Sequence, residues 1–440
     1  MENAFKIRGG KALKGKVSLS GAKNIALKVL IGALLFSNRV VLRNIPKIDD
    51  IIELINLLKL LGVNITFEDN EVVIDPLTLT KNTVDLLHAS KIRVSFLLFA
   101  PLLYKFGRAD IPNPGGCRLG ARSIDRVIEG LRALGVKVDY NSETGFYNSI
   151  LSKKPEGKYI FQKPSHTGTE LLIMMSVFGQ GEIRIQNGAL EPEIDDLIAF
   201  LNEGGAKIRR DGDDILIIGV SELRQIKPFE ISSDRVEAVT YAISGLATKG
   251  DVTISNIDEK LIRTFIDIVE EAGAGVEKIS NQVWRFYYKG VLNKMTVETA
   301  PFPGFLTDWQ PLIAILMTQA QGDSIIHEAI FENRFSYVAE LKKIGADISY
   351  VDYEVKDPKS HYHFNYDETQ EYNQTIKIAG VQKLHGGVLN VSDLRAGATL
   401  AIAALIAPGE SYLTGIHHLE RGYEDFINKI QKIGGEIKRM

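Results

Sequence analysis

The feature that most constrains this chain is a glycine that returns at a nearly fixed interval, each time behind an amphipathic stretch and before a small or apolar residue. It stands in Leu61-Gly62-Val63, Leu134-Gly135-Val136, Gly204-Gly205-Ala206, Ala272-Gly273-Ala274, Ile344-Gly345-Ala346 and Gly434-Gly435. Successive sites are 73, 70, 68, 72 and 89 residues apart. A glycine in the left-handed conformation is the usual way to close a helix and turn into a strand, so the interval marks a repeated structural unit. Between these sites, apolar helices are expected over 20–36, 93–106, 235–248, 307–320 and 393–407. Gly107, Gly181, Gly250, Gly322 and Gly409 open alternating strands such as Glu182-Ile-Arg-Ile and Asp251-Val-Thr-Ile.

Each unit therefore reads helix, strand, helix, strand, turn, strand, with turns at Glu68-Asp-Asn, Asp211-Gly-Asp-Asp and Ser280-Asn. The first helix is apolar nearly all round, which predicts burial on every face, and the second carries an ordinary amphipathic stripe. Six such units suit two domains of three units, with helices inside and sheets outside, better than an open array, because units near 70 residues are longer than most solenoid repeats. The spacing from closing to opening glycine is 45 to 49 residues in four units but 64 between Gly345 and Gly409, which places an insertion at about 353–374. Its polar and aromatic sequence reads as an extended hairpin.

Composition narrows the function classes. Lys plus Arg number 52 against 55 Asp plus Glu, a net charge of -3 without a basic stripe, which argues against nucleic acid as a partner. Apolar runs fall short of the ~20 residues of a membrane helix, and the first ten residues lack the apolar core of a secretion signal. A single cysteine among 440 residues forms no internal disulfide, so the cytoplasm is the expected compartment. No membrane insertion and no obligate protein partner are expected.

Charged residues gather where the apolar helices begin: Lys23, Arg93, Asp234-Arg235, Asp308 and Asp393 with Arg395. Cations are unfavourable at a helix N-terminus unless an anion is near. Each pair alone is explained by capping; their repetition, with Arg122 and Arg421, points to an anionic ligand. Cys117 lies in Pro112-Asn-Pro-Gly-Gly-Cys-Arg-Leu-Gly-Ala-Arg122, where flanking Arg118 and Arg122 favour a reactive thiolate, the alternative being a buried small residue. Asp308 in Pro303-Gly-Phe-Leu-Thr-Asp308 suits either an N-cap or a general base. Gly10-Lys-Ala-Leu-Lys-Gly15-Lys16 has phosphate-loop spacing, but Val17 replaces the required hydroxyl, so a turn between strands is expected. His361, His363 and His417-His418 lack the spacing of a zinc site, and neither metal nor cofactor is expected.

Eight segments in order resemble the enolpyruvyl transferase family: Ser20-Gly-Ala-Lys-Asn24, Pro114-Gly-Gly-Cys-Arg-Leu-Gly-Ala-Arg122, Glu191-Pro-Glu193, Asp234-Arg-Val-Glu237, Phe302-Pro-Gly-Phe-Leu-Thr-Asp308, Phe331-Glu-Asn-Arg-Phe335, Asp393-Leu-Arg-Ala-Gly397 and His418-Leu-Glu-Arg-Gly-Tyr423. The resemblance implies an α/β fold of two inside-out α/β barrels, EPSP synthase-like, each of three βαβαββ units. It places one domain at 23–232 and the other at 1–22 plus 233–440. It implies transfer of the enolpyruvyl group of phosphoenolpyruvate to the 3'-hydroxyl of UDP-N-acetylglucosamine with release of phosphate, the first committed step of peptidoglycan synthesis.

The same resemblance assigns residues. Lys23, Arg122 and Arg421 meet the phosphate and carboxylate of the donor, Cys117 protonates it, and Asp308 sits at the sugar hydroxyl as base. Asn24 and Arg93 are further substrate contacts. The nucleotide end meets Arg122, Ser123, Ile124, Asp125 and Arg126, with Lys163 and Ser165 behind and Ile330 opposite. Arg334, Asp393 and Arg395 complete the substrate-binding set. Three rivals remain: the sibling enzyme that makes 5-enolpyruvylshikimate 3-phosphate, which carries a Ser-Lys-Ser type motif where this chain has Gly21-Ala-Lys-Asn24; a transferase acting on another nucleotide; and a catalytically silent scaffold.

Overall fold

The computed structural model of the chain describes residues 3–115 and 124–440, so Cys117, Arg118, Arg122 and Ser123 lie outside the described residues. In it Gly62, Gly135, Gly205, Gly273, Gly345 and Gly434 all have φ between 91° and 100°. Each follows the C-terminal cap residue of an amphipathic helix and makes the same pair of hydrogen bonds. The glycine N–H donates to the carbonyl three residues back at 2.9–3.1 Å, and the next N–H donates to the carbonyl five residues back at 2.9–3.1 Å, as in Gly62 to Lys59 and Val63 to Leu58. This double closure satisfies two otherwise orphaned carbonyls and aims the chain into the following strand, Asn64–Glu68 in that instance.

The described chain divides into two compact units, one of 21–115 with 124–232 and one of 3–20 with Ser233–Met440. The first holds three sheets among its described residues. In one, Val40–Arg43 pairs antiparallel with Glu71–Asp75, which pairs with Asn64–Glu68, and Phe229–Glu230 joins the other edge in parallel. The second is Arg108–Pro112, Phe146–Ile150 and Lys137–Asn141. The third joins Lys207–Asp211, Asp214–Ile218, Glu182–Gln186 and Gly157–Ile160. Helices Lys23–Gly32, Phe99–Phe106 and His166–Ser176 contribute to the single apolar cluster of this unit.

The second unit also holds three sheets. Residues at the start of the chain enter two of them: Phe5–Gly9 lies between Gly409–Thr414 and Glu436–Arg439, and Lys14–Ser18 pairs with Asp251–Ser255. The segment with phosphate-loop spacing is thus the turn between two strands of different sheets. The third sheet orders Thr296–Glu298, Ser324–His327, Thr375–Ile378 and Ile348–Tyr350. Helix Arg235–Ala247 is buried at every residue, and Leu394–Ile406 is buried from Arg395 to Leu405. By contrast Glu259–Glu271 buries only Ile262, Phe265, Ile266 and Val269, the one-sided stripe of a covering helix. Each large apolar side chain enclosed this way contributes about 1.5–3 kcal/mol of burial energy. Among the described residues no helix is long and apolar enough to cross a membrane.

Three local expectations change. At Gly250 the left-handed residue is instead Lys249, with φ 58°, and Gly250 is required for space, since a Cβ there would stand 1.9 Å from the Leu13 carbonyl oxygen. The 93–106 helix is a 3-10 segment, Arg93–Leu98, followed by an α-helix, Phe99–Phe106. The insertion is not a strand hairpin. Its flanking strands pair, Tyr350 with Ile376, but between them Asp357 caps the short helix Pro358–His361, and Tyr362 and Phe364 bury against Ala329 with Val355, Tyr366 and Tyr372 around them. Aromatic packing replaces ladder hydrogen bonds there.

Candidate active site

Asp308 lies in the turn before helix Gln310–Met317, where a cap is expected, yet Trp309 occupies the cap position and no side chain caps the helix. The carboxylate is used otherwise. Its Oδ1 accepts from Arg334 Nη2 at 2.7 Å, and its Oδ2 accepts from Arg395 Nε and Nη2 at 3.2 and 3.1 Å. Burial alone would raise the Asp308 pKa, but the charges and hydrogen bonds of Arg395 and Arg334 outweigh it and hold the carboxyl far below the usual range. Both guanidinium groups are almost fully buried, while about a third of the Asp308 side chain meets solvent. The aspartate is thus the accessible member of a pre-formed charge cluster.

Local structure sets each arginine. Asp393 caps helix Leu394–Ile406, accepting from the N–H groups of Arg395 and Ala396 at 3.0 Å each. With the helix end satisfied by Asp393, the Arg395 side chain is directed to Asp308 and lies over the Tyr423 ring, 5.6 Å from its centre. Arg334 Nη1 donates to Thr307 Oγ1 at 2.6 Å, and its guanidinium lies 5.4 Å from the Phe331 ring centre. Thr307 in turn donates to Glu328 Oε2 at 2.8 Å. The other Glu328 oxygen accepts from Thr299 Oγ1 at 2.9 Å and from the N–H groups of Ile330 and Phe331 at 2.8 and 3.1 Å. Ile330 is therefore tied through one buried carboxylate to the residue beside Asp308. Burial raises the Glu328 pKa, and Arg334 and these donors oppose the rise. Arg421, half-buried, follows the short helix His417–Glu420 in the same unit.

In the other unit Lys23 opens helix Lys23–Gly32, and its Nζ lies 2.6 Å from Asp50 Oδ2. The protein itself thus supplies part of the negative charge that a cation at that helix end requires. Asn24 and Arg93 are half-buried at the heads of their helices. Ile124 is buried and precedes helix Asp125–Ala133, so Asp125 and Arg126 form its first turn. Ser165 accepts from the Gly168 N–H at 3.3 Å as the cap of helix His166–Ser176, with half-buried Lys163 two residues before it. His166 Nε2 of that helix and Lys28 Nζ of helix Lys23–Gly32 both approach Glu170 Oε1, at 3.1 and 3.2 Å. Burial disfavours the charged imidazole of His166, but Glu170 overrides this and raises its pKa, with Lys28 opposing.

The structure thus joins Asp308, Arg334 and Arg395, with Asp393 as their positioning cap and Ile330 held by Glu328. Sequence reasoning missed Glu328, Asp50 and the Lys28–Glu170–His166 group. Glu328, Asp50 and Lys28 meet side chains distant in the chain, which no short motif marks, whereas His166 and Glu170 stand four residues apart on one helix, a spacing that the sequence does display.

The profile of the EPSP synthase (3-phosphoshikimate 1-carboxyvinyltransferase) family matches residues 7–430. The chain belongs to that family. Among members similar to it, a UDP-N-acetylglucosamine 1-carboxyvinyltransferase of Desulfosudis oleivorans is 36% identical over 99% of this chain and 98% of its own. One of Idiomarina loihiensis is 37% identical over 99% of both chains. Solved structures share the family fold. The enolpyruvyl transferase NikO from Streptomyces tendae superimposes with a TM-score of 0.85 at 22% identity, over 100% of this chain and 99% of that one. An EPSP synthase from Acinetobacter baumannii does so with a TM-score of 0.71 at 17% identity, over 100% of both.

Proposed function

We propose that this EPSP synthase family member is an enzyme that transfers the enolpyruvyl group of phosphoenolpyruvate to the 3'-hydroxyl of UDP-N-acetylglucosamine and releases phosphate. The observation that carries the reading is the Asp308 carboxylate clamped by two buried arginines at the edge of solvent, in a chain whose full-length relatives bear that enzyme name. In cells this is the first committed step of peptidoglycan synthesis, carried out in the cytoplasm.

The chemistry explains the residue types. Phosphoenolpyruvate carries a carboxylate and a phosphate, which Lys23, Arg122, Arg421 and Arg395 neutralise. The Cys117 thiol gives a proton to C3, and C2 becomes electrophilic. The sugar oxygen then bonds to C2 as its proton passes to Asp308. Loss of phosphate and return of the C3 proton to the thiolate restore the double bond, and the proton on Asp308 leaves with phosphate. Asp308 between two guanidinium groups is a weak base. A donor anion bound beside these guanidinium groups would offset their charge and so raise the basicity of Asp308. Asn24, Arg93, Arg126 and Lys163 contact the acceptor, and Ser123, Ile124, Asp125, Ser165 and Ile330 shape its nucleotide end.

Phosphate release from phosphoenolpyruvate, measured with UDP-N-acetylglucosamine and separately with shikimate 3-phosphate, tests the acceptor. Turnover is expected with the UDP-sugar; turnover with shikimate 3-phosphate alone refutes the reading.

A further inference from the structure

The insertion brings together three donors that are far apart in sequence. Glu298, His327 and His361 offer ligand atoms that all lie within 4.8 Å of one another. Glu298 and His327 end neighbouring parallel strands and stand opposite each other in register. His361 ends the short helix Pro358–His361 of the insertion.

His327 is 1% exposed, and its Nδ1 lies 2.7 Å from Thr375 Oγ1. A tautomer that donates from Nδ1 to that hydroxyl presents the Nε2 lone pair, and Nε2 has no hydrogen-bond partner. A buried ring nitrogen left in this state calls for an explanation. His361 Nε2 is 3.4 Å from Glu298 Oε1 and likewise makes no hydrogen bond. That separation is what two ligands of a tetrahedral ion with bonds of ~2.0–2.1 Å require. The outer hydrogen bond from Thr375 is of the kind that fixes the tautomer and orientation of a ligating histidine. Glu298 is exposed and His361 half-buried, so solvent has an entry path and a water can complete the set.

We propose that Glu298, His327 and His361 form a divalent-metal site of the zinc class that clips the 353–374 insertion to its sheet. Two imidazoles and one carboxylate favour zinc or a neighbouring first-row ion over magnesium or calcium, which prefer oxygen. The site shares no residue with the cluster of Asp308, Arg334 and Arg395, and its role is structural. It anchors the segment whose Tyr362 and Phe364 pack on Ala329, next to Ile330.

The test uses the full chain without an affinity tag, stripped with a chelator and titrated with zinc chloride by calorimetry, beside His361→Ala and Glu298→Gln. Both positions are at least partly exposed, so the variants keep their fold, which circular dichroism verifies. One zinc per chain is expected, with binding weakened at least ~10-fold by each substitution. No saturable binding, or a smaller loss in either variant, overturns the proposal and leaves Glu298 and His361 as an ordinary ion pair.

Discussion

Arg395 meets a single oxygen of Asp308 with both Nε and Nη2, at 3.2 and 3.1 Å, across 87 residues of chain. Asp308→Asn keeps the shape of this contact and removes the base. Its kcat is expected to fall by ~10²–10⁴-fold with KM changed far less. A variant within a fewfold of the wild-type rate contradicts the assignment. The depressed pKa also predicts a stability effect. The ion pairs contribute above the unfolded carboxyl value of 3.8 and are lost only as pH falls through the lower folded value, so they are intact throughout pH 5–9. Asp308→Ala, which strands two buried cations, is expected to lower the unfolding free energy by about 3 kcal/mol at pH 7.

Gly62 and Gly205 make the same helix ending in the same unit, but with different surroundings. A Cβ at Gly205 meets nothing within 4 Å, whereas at Gly62 it would stand 2.1 Å from Thr80 Oγ1. Gly205→Ala should therefore show the positive-φ strain alone, about 1–2 kcal/mol. Gly62→Ala should be destabilised further, because Thr80 must also move. Urea midpoints of the two variants decide the order; equal shifts contradict the steric reading.

The six helix endings and the buried helices are legible in the sequence because both follow local rules: a residue that tolerates positive φ, and the width of an apolar face. The site is legible in its residue types but not in its contacts. Asp308 reads as a cap by position, yet its partner Arg334 stands 26 residues on in the same repeat and Arg395 heads the first helix of the next, and only tertiary packing brings them together. Lys23 reads as a cation awaiting a ligand because nothing near it in sequence announces Asp50. The insertion is misread as a hairpin because its length was visible but the burial of Tyr362 and Phe364 on Ala329 was not. His361 falls beside His327 and Glu298 through strand register and a folded-back loop, which motif spacing cannot express.

His166 has a pKa raised above 6.5 because Glu170 outweighs the burial that disfavours its charge. A raised folded value means that its contribution to stability is fully present below about pH 6.5 and is lost as pH rises through the folded pKa. His166→Gln should remove this part of the pH dependence. The stability difference between wild type and variant, followed by urea unfolding from pH 5 to pH 9, is expected to be largest on the acid side and to shrink upward. A difference independent of pH contradicts the Glu170 pairing.

Cys117, flanked by Arg118 and Arg122, is expected to react with electrophiles shaped like phosphoenolpyruvate, among them the epoxide fosfomycin, and faster when UDP-N-acetylglucosamine is bound. Intact-protein mass spectrometry should show one adduct in the wild type and none in Cys117→Asp, which keeps a group able to donate a proton. An unmodified wild-type chain counts against a donor role for the thiol.

Transfer of the enolpyruvyl group leaves its mark on the UDP-sugar product. The enzyme is incubated with phosphoenolpyruvate and UDP-N-acetylglucosamine, and the UDP-sugar is recovered for mass spectrometry and proton NMR. The expected product is a sugar in which the 3'-hydroxyl hydrogen is replaced by one carboxyvinyl group, with vinyl protons in the spectrum and one phosphate released per product. An unmodified UDP-sugar recovered from folded enzyme with both substrates in excess would contradict the transfer.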